Sequence, residues 1–267
     1  MISIIIPAYN EEQRIGDTLA KYAEYFNLHY PKSHEIIVVL NGCVDDTLSV
    51  VKSSIKLYPS IKYLDITKPI GKGGAIKKGL NIASGELVGY TDADASTRPE
   101  ILHRLFAVLE LTPSLDCIVG SREITGAVVA NKSLKRKIMS RAFNGLVNLY
   151  FNTGLRDTQC GAKVIRSSFI PQIMPNLLLS DMSFDVNFIV DVQRVGGKVL
   201  EMPIEWEDDA NSTVRPVKTS LLMFMSITRL KILYSPLKIF YPYLKPVSKW
   251  LYDKIIGKKN ISSQEII

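Results

Sequence analysis

Five short apolar runs, separated by stretches of helical periodicity, constrain this chain more than any other feature. The runs are ISIII (2–6), EIIVVL (35–40), IKYLDI (61–66), ELVGYT (86–91) and DCIVGS (116–121). Helical patterns occupy 11–28, 45–58, 72–84 and 99–111. Strand, helix, strand at this spacing marks βαβ units and hence a mainly parallel sheet. Continuous apolar strands fit a sheet covered on both faces. With 267 residues, 46% of them hydrophobic, the chain can fill one large domain with an appendage. The expected fold class is therefore α/β, a mainly parallel central sheet flanked by helices.

Helix starts are marked by polar residues. Asn10 stands three before Gln13, with Glu11 and Glu12 between, which predicts a capping-box helix from about residue 11. Asp45-Asp46-Thr47 opens the second helix in the same style. Ser96-Thr97-Arg98-Pro99-Glu100 opens the fourth, with Pro99 tolerated in the first turn.

In open parallel sheets, ligands bind beyond the carboxyl ends of the strands. Four polar strings fall there: PAYNE, NGCVDD, DAD and GSR, after the first, second, fourth and fifth runs. They are expected to converge on one rim. Asp92 and Asp94 are two apart, so in extended chain they point the same way, about 6–7 Å apart at the backbone. Such a pair can share a hard cation such as Mg²⁺, completed by phosphate oxygens and water. Alone, D-x-D is a weak motif and reads more readily as a solvated turn with helix-capping acids; its neighbours on the rim reverse that preference in favour of a site. GKGGA (71–75) lacks the G-x-x-x-x-G-K-[ST] spacing of a P-loop. It is either a glycine turn or a helix start that meets an anion through Lys72. The three cysteines, Cys43, Cys117 and Cys160, show no C-x-x-C spacing. They read as reduced, buried small hydrophobes rather than nucleophiles, in a cytosolic setting.

IIIPAYNEE, EIIVVLNGCVDDT, GKGGAIKKG, YTDADASTRPE, GSR, DTQCGAK, FDV and MPIEW occur in that order. Together they resemble the inverting family-two glycosyltransferases of the GT-A fold, and most closely the dolichyl-phosphate glucose and mannose synthases. GKGGA and DTQCGAK lie nearer the glucose branch. The resemblance covers about residues 1–215. It implies a GT-A catalytic domain over 1–213 and a separate appendage over 214–267.

The resemblance also implies roles for single residues. Pro7, Ala8, Tyr9 and Glu11 match the loop that holds the nucleoside, with Tyr9 offering a flat face and Glu11 an acceptor for ribose hydroxyls. Glu11 reads equally as a helix N-terminal acid. Asn41 stands where the family usually has the second of two aspartates, and Leu40 replaces the first, which leaves UDP or GDP open. Lys72 is placed with the nucleotide. Asp92, Asp94 and Ser96 are implied metal contacts for Mg²⁺ or Mn²⁺. Arg122 matches a brace for the diphosphate or the acceptor phosphate; its other reading is a surface ion pair with Glu123. Asp157 and Gln159 match a loop over the donor sugar. Asp185 matches an acid near acceptor or sugar, and reads also as an N-cap.

The implied reaction is an inverting transfer of a hexose, glucose favoured, from a nucleotide-diphosphate sugar to a polyprenyl (dolichyl) phosphate. UDP-glucose is the favoured donor and GDP-mannose the other. The proposed catalytic set is Asp92, Asp94, Arg122 and Asp185. Two other functions compete: transfer to a lipid-linked or soluble glycan, and an inactive nucleotide-binding scaffold. The Q-x-x-R-W string of processive relatives does not occur. Nor does G-x-G-x-x-G follow the first run, against a dinucleotide oxidoreductase.

The net charge of +7 is concentrated. Residues 215–259 carry ten Lys or Arg and one acid, and a second basic cluster lies at 131–141. The longest uncharged run of the tail, TSLLMFMSIT (219–228), has ten residues. A membrane span needs about 20. Met223, Ile227, Leu230 and Tyr234 recur at helical spacing, as do Leu237, Phe240, Leu244, Val247 and Leu251. With Tyr241, Tyr243 and Trp250 they read as basic amphipathic helices lying on an anionic membrane surface. The alternative is an apolar face packed on the core or a second subunit. Arg215 and Lys218 are further candidates for the acceptor phosphate. The expectation is a peripheral protein on the cytoplasmic side of a membrane. Nucleic acid is disfavoured because the tail is rich in Leu, Met and aromatic residues.

Overall fold

A computed structural model describes residues 1–130, 134–207, 216–243, 245–246 and 250. The first half runs β1 (Ile2–Ala8), α1 (Ile15–His29), β2 (His34–Asn41), α2 (Thr47–Leu57), β3 (Ile61–Ile66), α3 (Gly71–Ile82), β4 (Leu87–Tyr90) and α4 (Pro99–Leu111). The second half runs β5 (Cys117–Ser121), β6 (Val128–Ala130), α5 (Leu134–Phe151), β7 (Lys163–Arg166), α6 (Ile170–Ile173), α7 (Phe184–Arg194), β8 (Val199–Pro203), β9 (Glu205–Glu207) and α8 (Pro216–Leu233). The five apolar runs are β1 to β5.

Seven strands form one sheet in the order β3-β2-β1-β4-β7-β5-β8, and β6 pairs with β9. β7 is antiparallel to both β4 and β5; the other pairings are parallel. Successive residues of a strand face opposite sides, and here both sides are covered. Ile4, Ile6, Val38 and Leu40 pack with Leu19, Phe26, Leu105 and Phe106. Ile5, Ile37 and Val39 pack with Ile76, Leu80, Phe184 and Phe188. This is why the runs are continuous in sequence. β3, at the edge, is covered only in part and shows Lys62, Tyr63 and Asp65 to water; the two charges discourage further strand pairing.

The chain builds outward from β1 to β3, then returns past β1 to β4. That reversal opens a crevice beyond the carboxyl ends of β1 and β4. The PAYNE and DAD strings lie at its two lips.

The first helix departs from its sequence reading. α1 begins at Ile15, not residue 11, and Asn10 has a left-handed backbone (φ 56°). The polar groups read as caps instead lace two loops together. Asn10 Oδ1 accepts from Val44 N (2.9 Å), Glu11 N donates to Thr47 Oγ1 (2.8 Å), and Asp46 N donates to Glu12 Oε2 (2.9 Å). The amides they satisfy belong to the neighbouring loop, which sequence spacing within one helix does not reveal.

The tail reading is corrected in part. Met223, Ile227 and Leu230, the apolar stripe of α8, are buried. Ile227 packs with Val147 of α5 and with Val186 and Val190 of α7, and Tyr234 lies against the same cluster. Tyr234 Oη donates to Asp191 Oδ1 at 2.6 Å, and Ser226 bonds Asp181. The stripe is held by protein, so it is not the face a membrane would meet. Among the described residues, no helix is long and apolar enough to cross a membrane. Leu244, Val247 and Leu251 lie outside the described residues.

Candidate active site

The β4–α4 turn carries the paired acids. Ala95 takes a left-handed backbone (φ 55°), and Ser96 N donates to Asp94 Oδ1 at 3.0 Å. That bond orients Asp94 through Oδ1. Asp92 has contacts of its own. Its Oδ1 accepts Lys72 Nζ at 2.6 Å, and its Oδ2 lies over Gly161, where a Cβ would come within 2.1 Å. Burial pushes the Asp92 carboxyl up, but Lys72, and then Lys163 and Arg122, bring it below its usual pKa. The PAYNE loop stands close enough for Asp94 and Asp92 to be felt at Glu11. Glu11 is bound to Arg14 (2.6 Å), and burial lifts its carboxyl above the usual value against that pull.

Lys72 reaches Asp92 because the start of α3 is pressed onto the loop before α7. Gly71 (φ 78°) faces the Ser180 carbonyl, which a Cβ would meet at 2.2 Å. Gly73 lies against Phe184, where a Cβ would come within 2.4 Å. The glycines of GKGGA thus serve close packing.

Behind the rim lies a buried charge cluster. Asp185, in the first turn of α7, accepts Lys163 Nζ at 2.5 Å and Tyr90 Oη at 2.8 Å on the same Oδ1. Its Oδ2 is 3.6 Å from Lys72 Nζ. Lys163 is fully buried and also bonds the Cys160 carbonyl. Asp185 is therefore not an exposed cap: it is buried and anchors Lys163, with Lys72 at the longer distance. Lys163 and Tyr90 belong to the candidate site through Asp185, and sequence reasoning missed them. The available signal was a lysine opening a β-branched strand in GAKVI, a costly place for an unpaired charge.

Arg122 pairs with Asp157 rather than Glu123. Asp157 Oδ2 accepts from Arg122 N (3.0 Å) and Nε (2.7 Å), and Oδ1 from Nη2 (3.1 Å) and Gln159 N (3.1 Å). Burial opposes this charge, yet Arg122 holds the carboxyl down at about 2. Asp157 is fully buried and its oxygens are engaged by Arg122 and Gln159 N, so that it sets Arg122. Trp206 lies 5.2 Å from the guanidinium, and Glu201 accepts from Asp157 N at 2.7 Å. Gln159 Nε2 is a buried donor without a partner among the described residues.

Asn41 is buried, and its Oδ1 accepts from Ile70 N at 2.7 Å, tying β2 to the approach of α3. Tyr9 is 54% exposed at the crevice lip, a free flat face; Pro7 is half-buried and Ala8 buried. The Cys117 and Cys160 thiols are pushed by burial up to about 12 and about 11, which removes them as nucleophiles. Arg215 and the side chain of Lys218 lie outside the described residues.

The cluster holds five acids (Glu11, Asp92, Asp94, Asp157, Asp185) and four bases (Arg14, Lys72, Arg122, Lys163). Asp94 is the acid met only by a backbone amide among the described contacts. A diphosphate arriving there adds further negative charge, which a divalent cation would offset. Among the described residues no group of three or more His, Cys, Asp or Glu makes a metal cage. Two carboxylates with diphosphate oxygens and water fit Mg²⁺ or Mn²⁺. The donor set fits a cation that arrives with a nucleotide.

A sequence model of "Glycosyl transferase family 2" matches residues 3–173. The chain is similar to a dolichyl-phosphate beta-glucosyltransferase of Dictyostelium discoideum, 30% identical over 87% of this chain and 74% of the relative. A dolichyl-phosphate beta-glucosyltransferase of Trichomonas vaginalis is 32% identical over 80% of this chain and 68% of its own. The fold is similar to glucosyl-3-phosphoglycerate synthase from Mycobacterium tuberculosis, crystallised with Mn²⁺, UDP-glucose and phosphoglyceric acid. The TM-score is 0.65 at 16% identity, over 86% of this chain and 79% of that one.

Proposed function

The chain belongs to glycosyl transferase family 2, and from that premise we propose that it moves glucose from UDP to a polyprenyl phosphate with inversion at C1. The observation that carries the reading is Asp94, an acid with no ion pair among the described residues, on the same turn as Asp92, which lies in the field of Lys72, the buried Lys163 and Arg122. The names of the relatives support glucose and a dolichyl-type acceptor. UDP is supported by the fold neighbour's ligand.

A divalent cation, when bound, neutralises charge growing on the departing diphosphate. Asp94 and Asp92 would hold it, with Ser96 N keeping Asp94 in position. Tyr9 would stack on the base. Arg122, with Nε and Nη2 fixed by Asp157, keeps further N–H groups for a phosphate. Gln159 Nε2 is the donor suited to a sugar hydroxyl. The acceptor phosphate has a second pKa near ~6, so its oxygen is largely ionised at pH 7 and attacks C1 without a base. The bond to the diphosphate breaks on the opposite face. The sealed position of Asp185 accords with a reaction that needs no general base.

The membrane-facing surface, in this reading, is the outer side of α8 and the segment after it. Leu221, Phe224, Leu237, Phe240, Tyr243 and Trp250 are exposed there, in the most basic part of the sequence. Aromatic and aliphatic side chains among lysines suit a headgroup region.

The test is a panel of labelled UDP- and GDP-sugars offered with short polyprenyl phosphates and Mg²⁺ or Mn²⁺. Label from UDP-glucose is expected in the organic phase. Label entering only water-soluble products, or none, would refute the acceptor. Flotation with anionic vesicles is expected to carry the protein in a salt-sensitive way, and to fail on removal of 217–267.

A further inference from the structure

Lys72 stands between two carboxylates. Its Nζ is 2.6 Å from Asp92 Oδ1 and 3.6 Å from Asp185 Oδ2. Asp185 is pinned, because its Oδ1 receives both Lys163 and Tyr90. A movement of Nζ by about 1 Å would turn the longer contact into a charge-assisted hydrogen bond of ordinary length. The backbone of Lys72 cannot follow such a movement. Gly71 and Gly73 are wedged against Ser180 and Phe184, and Gly74 N donates to the Ser180 carbonyl at 3.2 Å. A change of partner is therefore a rotation of the flexible four-carbon stem.

The other positive groups near Asp92 are committed elsewhere. Lys163 is bound to Asp185 and to the Cys160 carbonyl, and Arg122 is clamped by Asp157. Among the described residues, Lys72 alone is the cation bonded to Asp92, and it has a second anchor within reach.

We propose that Lys72 is a built-in counter-ion that hands Asp92 over to a divalent cation and withdraws to Asp185, which makes cation binding depend on the nucleotide. The proposal rests on the reading that Asp92 and Asp94 hold such a cation. A cation approaching Asp92 meets an ammonium already on its oxygen, and like charges repel. A bound nucleoside diphosphate adds negative charge to the same spot and favours the exchange. Metal and nucleotide then bind as a coupled pair, and Asp185 is a positioning residue for Lys72.

Mn²⁺ binding, followed by the loss of the free-ion electron paramagnetic resonance signal, tests this without turnover. Wild type, Lys72→Met, Lys72→Gln and Lys72→Arg are each titrated with and without UDP. Wild type is expected to bind Mn²⁺ weakly alone and at least about 30-fold more tightly with UDP, within the usual range of coupling between sites. Lys72→Met and Lys72→Gln are expected to bind Mn²⁺ alone at least about tenfold more tightly than wild type, with the UDP effect reduced by a similar factor. Lys72→Arg keeps the charge and is expected to stay within about threefold of wild type. The proposal is overturned if both neutral variants bind Mn²⁺ alone no more tightly than wild type, or if the Arg variant tightens as they do. If no variant binds Mn²⁺ even with UDP, the cation reading falls and takes this proposal with it.

Discussion

Gly161→Ala is the sharpest single perturbation of the site. An added Cβ would lie 2.1 Å from Asp92 Oδ2 and 2.7 Å from its Cγ. Ordinary contact begins at 3.4 Å, so the carboxylate must retreat by more than about 1 Å. Asp92 is also tied to Lys72 at 2.6 Å, so the retreat breaks or drags that pair. Overpacking of this kind costs about 1–3 kcal/mol of stability. A domain of this size loses roughly 2–4 °C in Tm for each kcal/mol. Misplacing a catalytic group by about 1 Å costs on the order of 100-fold in rate, or about 2.7 kcal/mol at the transition state. Kinetics with UDP-glucose and a short polyprenyl phosphate, run well below the variant's Tm, separate the two effects. The matched control is Gly145→Ala, an exposed helical position where a Cβ meets nothing within 4 Å. It is expected to leave activity alone and to stabilise by about 0.5–1 kcal/mol. If Gly161→Ala kept kcat/KM within threefold of wild type, the placement of Asp92 could not matter to the chemistry.

Asp94→Asn and Asp92→Asn are each expected to lower kcat by at least about 100-fold, the scale of a lost Lewis-acid contact; near wild-type turnover by both would remove the metal assignment. Asp157→Asn leaves Arg122 buried beside a neutral amide and is expected to cost about 3–5 kcal/mol in denaturant unfolding. Because Arg122 depresses the Asp157 pKa to about 2 against burial, its stabilising effect is present above about pH 4 and disappears as pH falls through about 2. A variant Tm equal to wild type at pH 7 would contradict that pairing. Asp191 behaves oppositely. Burial raises it to about 7, against hydrogen bonds from Tyr234 and Asn187 and the charge of Arg194. The folded state therefore favours its protonated form, and the docking of α8 should weaken as pH rises from about 4 through about 7. Hydrogen exchange in α8 should rise over that window in wild type and lose the added pH dependence in Asp191→Asn.

The strands and most helix spans were legible because hydrophobic burial on both sheet faces writes itself into local sequence. β1 to β5 follow the β-branched runs, and α4 keeps the bounds that Pro99 announced. The rim was legible as well, since parallel strands must bring their carboxyl-end strings together. Charge pairing was not, because ion pairs join residues far apart in the chain. Asp157 with Arg122, and Asp185 with Lys163, Tyr90 and Lys72, are each closed by the tertiary fold. The basic partners of Asp157 and Asp185 could not be read from spacing along the chain.

By itself, the sequence determined the α/β architecture, the family and the rim that carries the candidate site, all of which follow from local periodicity and ordered strings. Only the fold decided which side of α8 is spent on packing, since helical spacing marks an apolar stripe without naming its partner. Only the fold decided, too, that Lys72 lies on Asp92, because the first turn of α3 reaches that carboxylate through glycines pressed onto a loop about 110 residues further along the chain.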